Sequence, residues 1–253
     1  MGKFNYGKSV FPLISSEFDA EGRAMNTKFI GTCFATCVAG QPVIISAKHV
    51  LGAFEKSKAI PCIITRYGDS PALRLAGIIS QHKSLDIAFM VLAVDFWEIY
   101  SKEFEPVPLL LERLELGSDV FTFGFPNSQV LDDGSHSGPI LEVDQCFFKG
   151  YVCNIEDRSA IGGTPHTYVL NFPAMPGASG SPILVERDGT VYCAGIVLKE
   201  KLINYPESEE EESRNGERIR RIYHRTYAFG LACDAQALQE IESVLSRARK
   251  DLC

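Results

Sequence analysis

The sequence predicts an all-β protein: two six-stranded antiparallel β-barrels joined by a connector, with an α-helix at the C-terminal end. Three observations carry this. Short apolar or alternating runs, punctuated by turn residues, recur from Phe11 to Cys233; no long helical patterns alternate with them; and they divide evenly around residues 96–116. Strands alternating with helices would instead indicate a parallel sheet.

In the first half the runs are Phe11–Ile14, Lys28–Val38, Pro42–Ala47, Ala59–Thr65, Leu73–Ile79 and Asp86–Val94, which give a first barrel over 10–95. Beyond the connector come Val120–Phe125, Ile140–Val152, Thr167–Phe172, Ser181–Val185, Val191–Leu198 and Tyr227–Cys233, a second barrel over 117–233. Residues 199–225 interrupt its last two strands. There the glutamates Glu209–Glu212 are followed by Arg214, Arg218, Arg220 and Arg221, a charge pattern that reads as an exposed inserted loop. Asp234 suits a helix cap, and Leu238, Ile241, Val244 and Leu245 keep a helical period, so 234–250 is predicted helical. Residues 1–253 then form one domain of two barrels.

Composition agrees with a packed fold. The chain has 253 residues, 45% of them hydrophobic and 23% charged, enough apolar side chain for a sizeable core. Its net charge is −7, which argues against a groove that holds nucleic acid by bulk electrostatics. No apolar run has the length of a membrane-spanning helix, and the first residues lack the apolar stretch and small-residue cleavage site of a signal peptide. The eight cysteines make no CxxC pair and no Cys/His cluster with zinc spacing. Cys33 and Cys37 lie too far apart in an extended segment to bond to each other. Cys62, Cys146, Cys153, Cys193 and Cys233 lie within apolar runs, where a free thiol behaves as a small hydrophobe. Buried free thiols in a reducing cytoplasm are the expectation.

Three segments carry chemistry. Val43-Ile-Ile-Ser-Ala-Lys-His49 brings a histidine to the end of a strand, at the start of a short helical turn. Asp86 stands immediately before an apolar strand. Met175-Pro-Gly177-Ala-Ser179-Gly180-Ser-Pro places a serine on a glycine-flanked turn. A serine hydroxyl is a weak nucleophile at neutral pH and needs a base beside it. An imidazole suits that task, because its ordinary pKa lies close to neutrality. A carboxylate on the other ring nitrogen would fix the tautomer and stabilise the imidazolium. Gly177 allows the Gly177 and Ser179 amides to converge on a developing oxyanion. Each residue alone has an ordinary structural reading: a core histidine, a turn aspartate, a turn serine. His82, His136, His166 and His224 share no metal spacing and read as structural or surface residues.

Ser-Ala-Lys-His49 resembles the Thr-Ala-Ala-His element of chymotrypsin/trypsin-like serine peptidases, and Asp86-Ile-Ala their Asp-Leu/Ile-Ala segment. Gly177-Ala-Ser179-Gly-Ser-Pro resembles their Gly-x-Ser-Gly-Gly-Pro segment. The order His, Asp, Ser is that family's order, and the spacings of 37 and 93 residues suit its two barrels. Phe121-Thr-Phe-Gly-Phe-Pro126 is similar to a strand of the HtrA-like bacterial branch, here as a peptidase domain without a PDZ domain. Ala194-Gly-Ile-Val-Leu198 is similar to the strand lining the primary specificity pocket. The resemblance implies a chymotrypsin-like fold and hydrolysis of peptide bonds in protein or peptide substrates through an acyl-enzyme. It implies Ser179 as nucleophile, His49 as base, Asp86 as the orienting acid, and no metal or organic cofactor. Two other readings are a catalytically inactive binding module on the same fold and a cysteine-type peptidase; Ser179 at the nucleophile position disfavours the second.

Departures from the pattern set further expectations. Val50 after the histidine removes the disulfide that secreted trypsins make there. Ala178 replaces the acidic residue that pairs with a newly cut N-terminus in zymogens. Control is therefore expected from a partner protein, from a loop such as 199–225, or from substrate access. The residue six before the serine, at the family's pocket base, is Pro173, beside Ala174; with Leu198 and Lys199 these are the pocket candidates. No acid stands there to grip Arg or Lys, so an uncharged or apolar P1 residue is expected. Lys199, His224 or an arginine of the insertion supplies the competing expectation, an acidic P1.

Overall fold

The computed structural model describes residues 4–22, 24–38, 41–51, 59–67, 70–75, 78–81, 86–91, 104–131, 140–156, 167–214 and 217–234. After a single helical turn, α1 (Tyr6–Ser9), come β1 (Val10–Phe18), β2 (Ala24–Val38) and β3 (Gln41–Ala47). The turn α2 (Lys48–Leu51) is followed by β4 (Ile60–Tyr67), β5 (Ser70–Leu75), β6 (Ile78–Gln81) and β7 (Ile87–Val91). These strands form an antiparallel seven-stranded sheet ordered β5-β4-β1-β2-β3-β7-β6. It holds one strand more than the sequence suggests, because the run Leu73–Ile79 divides into β5 and β6.

The second half contains β8 (Asp119–Gly124), β9 (Gln129–Leu131), β10 (Ile140–Glu142), β11 (Cys146–Glu156), β12 (Thr167–Leu170), β13 (Pro182–Arg187), β14 (Thr190–Arg214) and β15 (Glu217–Asp234). Six of them close a barrel in the order β11-β12-β15-β14-β13-β8, while β9 and β10 pair as a separate ribbon. The molecule is thus the all-β, two-unit antiparallel fold expected. Asp234, expected to cap a helix over 234–250, is the last residue of β15, and residues 235–250 lie outside the described residues.

Continuous burial distinguishes the central strands. In β12 every residue is buried, as are residues 43–47 of β3 and 87–90 of β7. A strand with one face on water would alternate instead. One apolar cluster explains this: it joins Phe34, Ile45 and Phe89 of the first sheet to Phe121, Leu184 and Ile196 of the second. A separate cluster, including Val120, Tyr168, Leu170 and Ile183, fills the second barrel. The connector is stitched to both units. Val107 N–H donates to the Ala35 carbonyl (2.9 Å), Thr36 Oγ1 to the Val107 carbonyl (2.6 Å), and Leu110 N–H to the Cys193 carbonyl (2.8 Å).

Residues 199–225 correct an expectation. They are not an irregular loop; β14 and β15 continue past the barrel as a two-stranded arm paired as far as Arg214↔Glu217. Its register sets Glu210 opposite Arg221 and Glu211 opposite Arg220. Acidic and basic runs that look like a solvated insertion along the chain become complementary across the ribbon. A register shift between Pro206 and Ser208 accommodates the proline, which has no N–H for a ladder.

All six cysteines of known side-chain environment are free thiols. Cys33, Cys62 and Cys193 are buried as expected, whereas Cys146 and Cys153 are half-buried and Cys37 is exposed. Alternation puts Cys33 and Cys37, four residues apart on β2, on the same face of the strand, so their different burial follows from position along it: Cys33 lies within the core and Cys37 one residue from the strand's end. Burial pushes the Cys193 thiol up to about 12 from an ordinary 9.0, and Cys33 is raised by the same cause. Raised thiols are protonated in both states at neutral pH, so they confer no pH dependence there. As pH climbs past the ordinary value, the unfolded chain ionises first and stability falls. Urea unfolding is therefore expected to show a midpoint that declines above about pH 9, and Cys193→Ala should make that decline shallower. An unchanged slope would refute the assignment of the effect to this thiol.

Candidate active site

The β3–β7 register builds the first part of the site. Its last pair is Ala47↔Ile87, so Lys48 and Asp86 meet directly beyond the ladder. Lys48 N–H donates to the Asp86 main-chain carbonyl at 3.1 Å. One turn of α2 then lifts His49 over the Asp86 carboxylate. Oδ1 accepts the His49 main-chain N–H at 2.9 Å, and Oδ2 lies 2.7 Å from His49 Nδ1. An ionised carboxylate only accepts, so Nδ1 carries the proton and the lone pair of a neutral imidazole resides on Nε2. The imidazole is 48% exposed, open enough for a substrate to reach it.

The Ser179 segment, between β12 and β13, has almost every backbone group accounted for. Ala178 N–H donates to Met175 (2.9 Å), Asn127 N–H to Pro176 (3.1 Å) and Ser181 N–H to Ala178 (3.0 Å). Gly180 N–H donates to Val197 at 2.8 Å. Within residues 177–181 the two amides with no backbone acceptor are those of Gly177 and Ser179, the pair read from the sequence as oxyanion donors. Gly177 and Gly180 both have φ +90, a left-handed conformation that side chains resist. A Cβ on Gly180 would also lie 2.1 Å from the Thr32 carbonyl.

Ser179 is half-buried, and its Oγ donates to the Leu198 carbonyl at 3.0 Å. The hydroxyl rests on the wall of β14, and its partner there is Leu198 and not the imidazole. Leu198 and Ala174 are buried, Pro173 is half-buried, and Lys199, the next residue along β14, faces solvent. Phe172 and Val197, buried in the second barrel's core with Ala174, add no charge beside them.

Two residues escaped the sequence reading. Gly230 of β15 donates its N–H to the Phe172 carbonyl at 2.6 Å, and a Cβ there would lie 3.0 Å from that oxygen. Thr32 is wholly buried and bonds to Ser179, Gly177, Phe125 and Ser46. Thr32 falls within the run Lys28–Val38 read as a strand, but no local pattern ties it to residues near 179. His82, His136 and His166 lie outside the described residues.

A family model described as a trypsin-like peptidase domain matches residues 31–193. No curated protein sequence matches the chain. Among solved structures, it is similar to the HtrA-type protease AlgW bound to a decapeptide, with TM-score 0.59 and 14% identity over 95% of this chain and 65% of that one. The thermostable serine protease AL20 from an extremophilic microorganism gives TM-score 0.54 and 13% identity over 94% and 97%. The inactive form of Rv3671c from M. tuberculosis H37Rv gives 0.50 and 15% over 92% and 83%. At these identities the likeness is one of fold.

The packing at Gly180 sets a test of the loop. Gly180→Ala should lower unfolding stability by at least about 2 kcal/mol in urea titrations, since a left-handed φ and a backbone clash coincide. An unaltered midpoint would mean the loop is not locked as described.

Proposed function

The chain belongs to the trypsin-like peptidase domain family, and on that premise we propose that it is a serine endopeptidase with Ser179 as nucleophile, His49 as base and Asp86 as the orienting acid. The observation that carries the reading is the two-point hold of Asp86 on His49, which leaves Nε2 as the proton acceptor.

In this mechanism Ser179 Oγ leaves the Leu198 carbonyl by a χ1 rotation and gives its proton to His49 Nε2 as it bonds to the substrate carbonyl carbon. The carbonyl π-electrons move to oxygen, and the Gly177 and Ser179 amides stabilise the oxyanion. Loss of one such donor typically costs about 3 kcal/mol of transition-state stabilisation. Asp86 stabilises the imidazolium without taking its proton. Collapse expels the amine, protonated by His49. Water then attacks the acyl-Ser179 ester by the same steps and frees the acid and the serine.

For specificity we propose an uncharged or apolar P1 residue, supported by Pro173, Ala174 and the neighbouring buried Phe172 and Val197. Exposed Lys199 belongs to the competing acidic-P1 reading. For setting, free thiols support a reducing, intracellular compartment, with control by a partner protein or the arm and not by zymogen cleavage. The alternative, an inactive module on the same fold, draws on the contact of Ser179 with Leu198.

Labelling with a fluorophosphonate probe separates these readings. The wild type should be labelled at Ser179, and Ser179→Ala should abolish labelling without changing the circular dichroism; an unlabelled wild type would favour the inactive module. Cleavage of a peptide library should show apolar P1 residues, and a dominant arginine preference would refute the pocket assignment. Asp86→Asn should lower kcat by about 10⁴-fold at neutral pH, because an amide holds the wrong tautomer.

A further inference from the structure

We propose that Thr32 is a positioning residue of the oxyanion hole, acting on both of the residues whose amides form it. The inference rests on the serine peptidase reading above and adds to it a residue from the opposite barrel.

Thr32 lies on β2, opposite Pro12 of β1, and is completely buried. Its Oγ1 donates to the Gly177 carbonyl at 2.8 Å, and its N–H donates to the Ser179 carbonyl at 3.1 Å. Oγ1 also accepts the Phe125 N–H at 3.1 Å, and the Thr32 carbonyl accepts Ser46 Oγ at 2.7 Å. Ser46 thereby fixes the residue from its own side of the seam, and Phe125 adds a further bond across it.

These bonds matter because a peptide plane is rigid, so the remaining freedom lies in the rotations at each Cα. At Gly177 the preceding plane is held by Asn127 N–H on the Pro176 carbonyl, and the following plane by Thr32 Oγ1. At Ser179 the preceding plane is held by Ser181 N–H on the Ala178 carbonyl, and the following plane by Thr32 N–H. Thr32 therefore supplies the C-terminal anchor at both positions. Its hydroxyl matters most at Gly177, where no Cβ restrains the backbone and loss of the Thr32 bond leaves Ala178 N–H on Met175 as the remaining hold on that plane. The two donor amides lie in the preceding planes, so a shift of the following plane reaches them through the rotations at the shared Cα, and a donor must be in place before charge develops. The hydroxyl also satisfies a buried carbonyl and a buried amide that would otherwise be orphaned.

Removing the hydroxyl should thus weaken transition-state binding more than substrate binding. In Thr32→Val, kcat is expected to fall about 10²-fold with KM changed by less than about threefold. The affinity for a peptidyl trifluoromethyl ketone, which forms an oxyanion on Ser179, should fall in proportion to kcat/KM. Thr32→Ser, which restores the donor, should stay within about threefold of wild type. If Thr32→Val does not fold, Thr32→Cys, with a weaker donor of similar shape, should give a smaller loss in kcat with the same unchanged KM.

A wild type that neither cleaves peptides nor takes the fluorophosphonate overturns the peptidase reading and this inference with it. An active wild type whose Thr32→Val variant keeps its kcat, or loses only KM, overturns the positioning role alone. A Thr32→Ser variant as impaired as Thr32→Val would do the same, since it would assign the effect to packing.

Discussion

Because His49 and Asp86 belong to the first unit and Ser179 to the second, the placement of the imidazole relative to the serine is set by the seam between the two units. Apolar packing brings the units together, with Phe34, Ile45 and Phe89 sharing one cluster with Phe121, Leu184 and Ile196. Apolar contact is not directional, and it would tolerate small slips of one sheet across the other. Hydrogen bonds across the seam remove that tolerance. Thr32 ties β2 to the Ser179 loop and to the end of β8, and the connector ties Ala35 to Val107 and Pro108 to Cys193. The buried backbone groups need partners, and the partners exist in only one alignment.

The two halves of the site are rigid for different reasons. His49 is placed by regular structure: a ladder ends at Ala47↔Ile87, and the next residues on each strand meet face to face. The Ser179 segment has no ladder of its own. It is placed by a set of unlike bonds to Met175, Pro176, Val197 and Thr32, and by glycines that accept φ values other residues resist. The consequence is an uneven tolerance to substitution. Side chains around His49 can vary so long as the strands pair, whereas backbone changes at Gly177 or Gly180 strike the loop directly.

Much of this was legible in the chain, and the limits follow from what local sequence encodes. Strand runs show as apolar stretches, so the all-β class and most strands were readable. The runs 73–79 and 140–152 each read as one strand, because two or three intervening residues, Ala76-Gly77 and Val143-Asp144-Gln145, are too few to end an apolar run along the chain. His49, Asp86 and Ser179 stood out because each sits at the edge of an apolar strand, with Gly177 and Gly180 flanking the serine. Thr32 did not, since its partners at Gly177 and Ser179 are remote in sequence and the bonds are to backbone groups, which carry no residue identity. The charged arm was misread for a related reason. Complementarity between 209–212 and 218–221 exists only in the paired register, and along the chain it looks like two solvated clusters.

That arm bears on how the molecule behaves in a crowded solution. A two-stranded ribbon that continues past its barrel offers a row of backbone donors and acceptors on each outer edge, a template onto which another chain can add. Here the β14 side carries the glutamates of 209–212 and the β15 side carries Arg218, Arg220 and Arg221. A second copy approaching with the same strand meets its own sign of charge, and Pro206 cannot donate to a new neighbour. The charge on each strand therefore disfavours pairing of β14 with a second β14 and of β15 with a second β15.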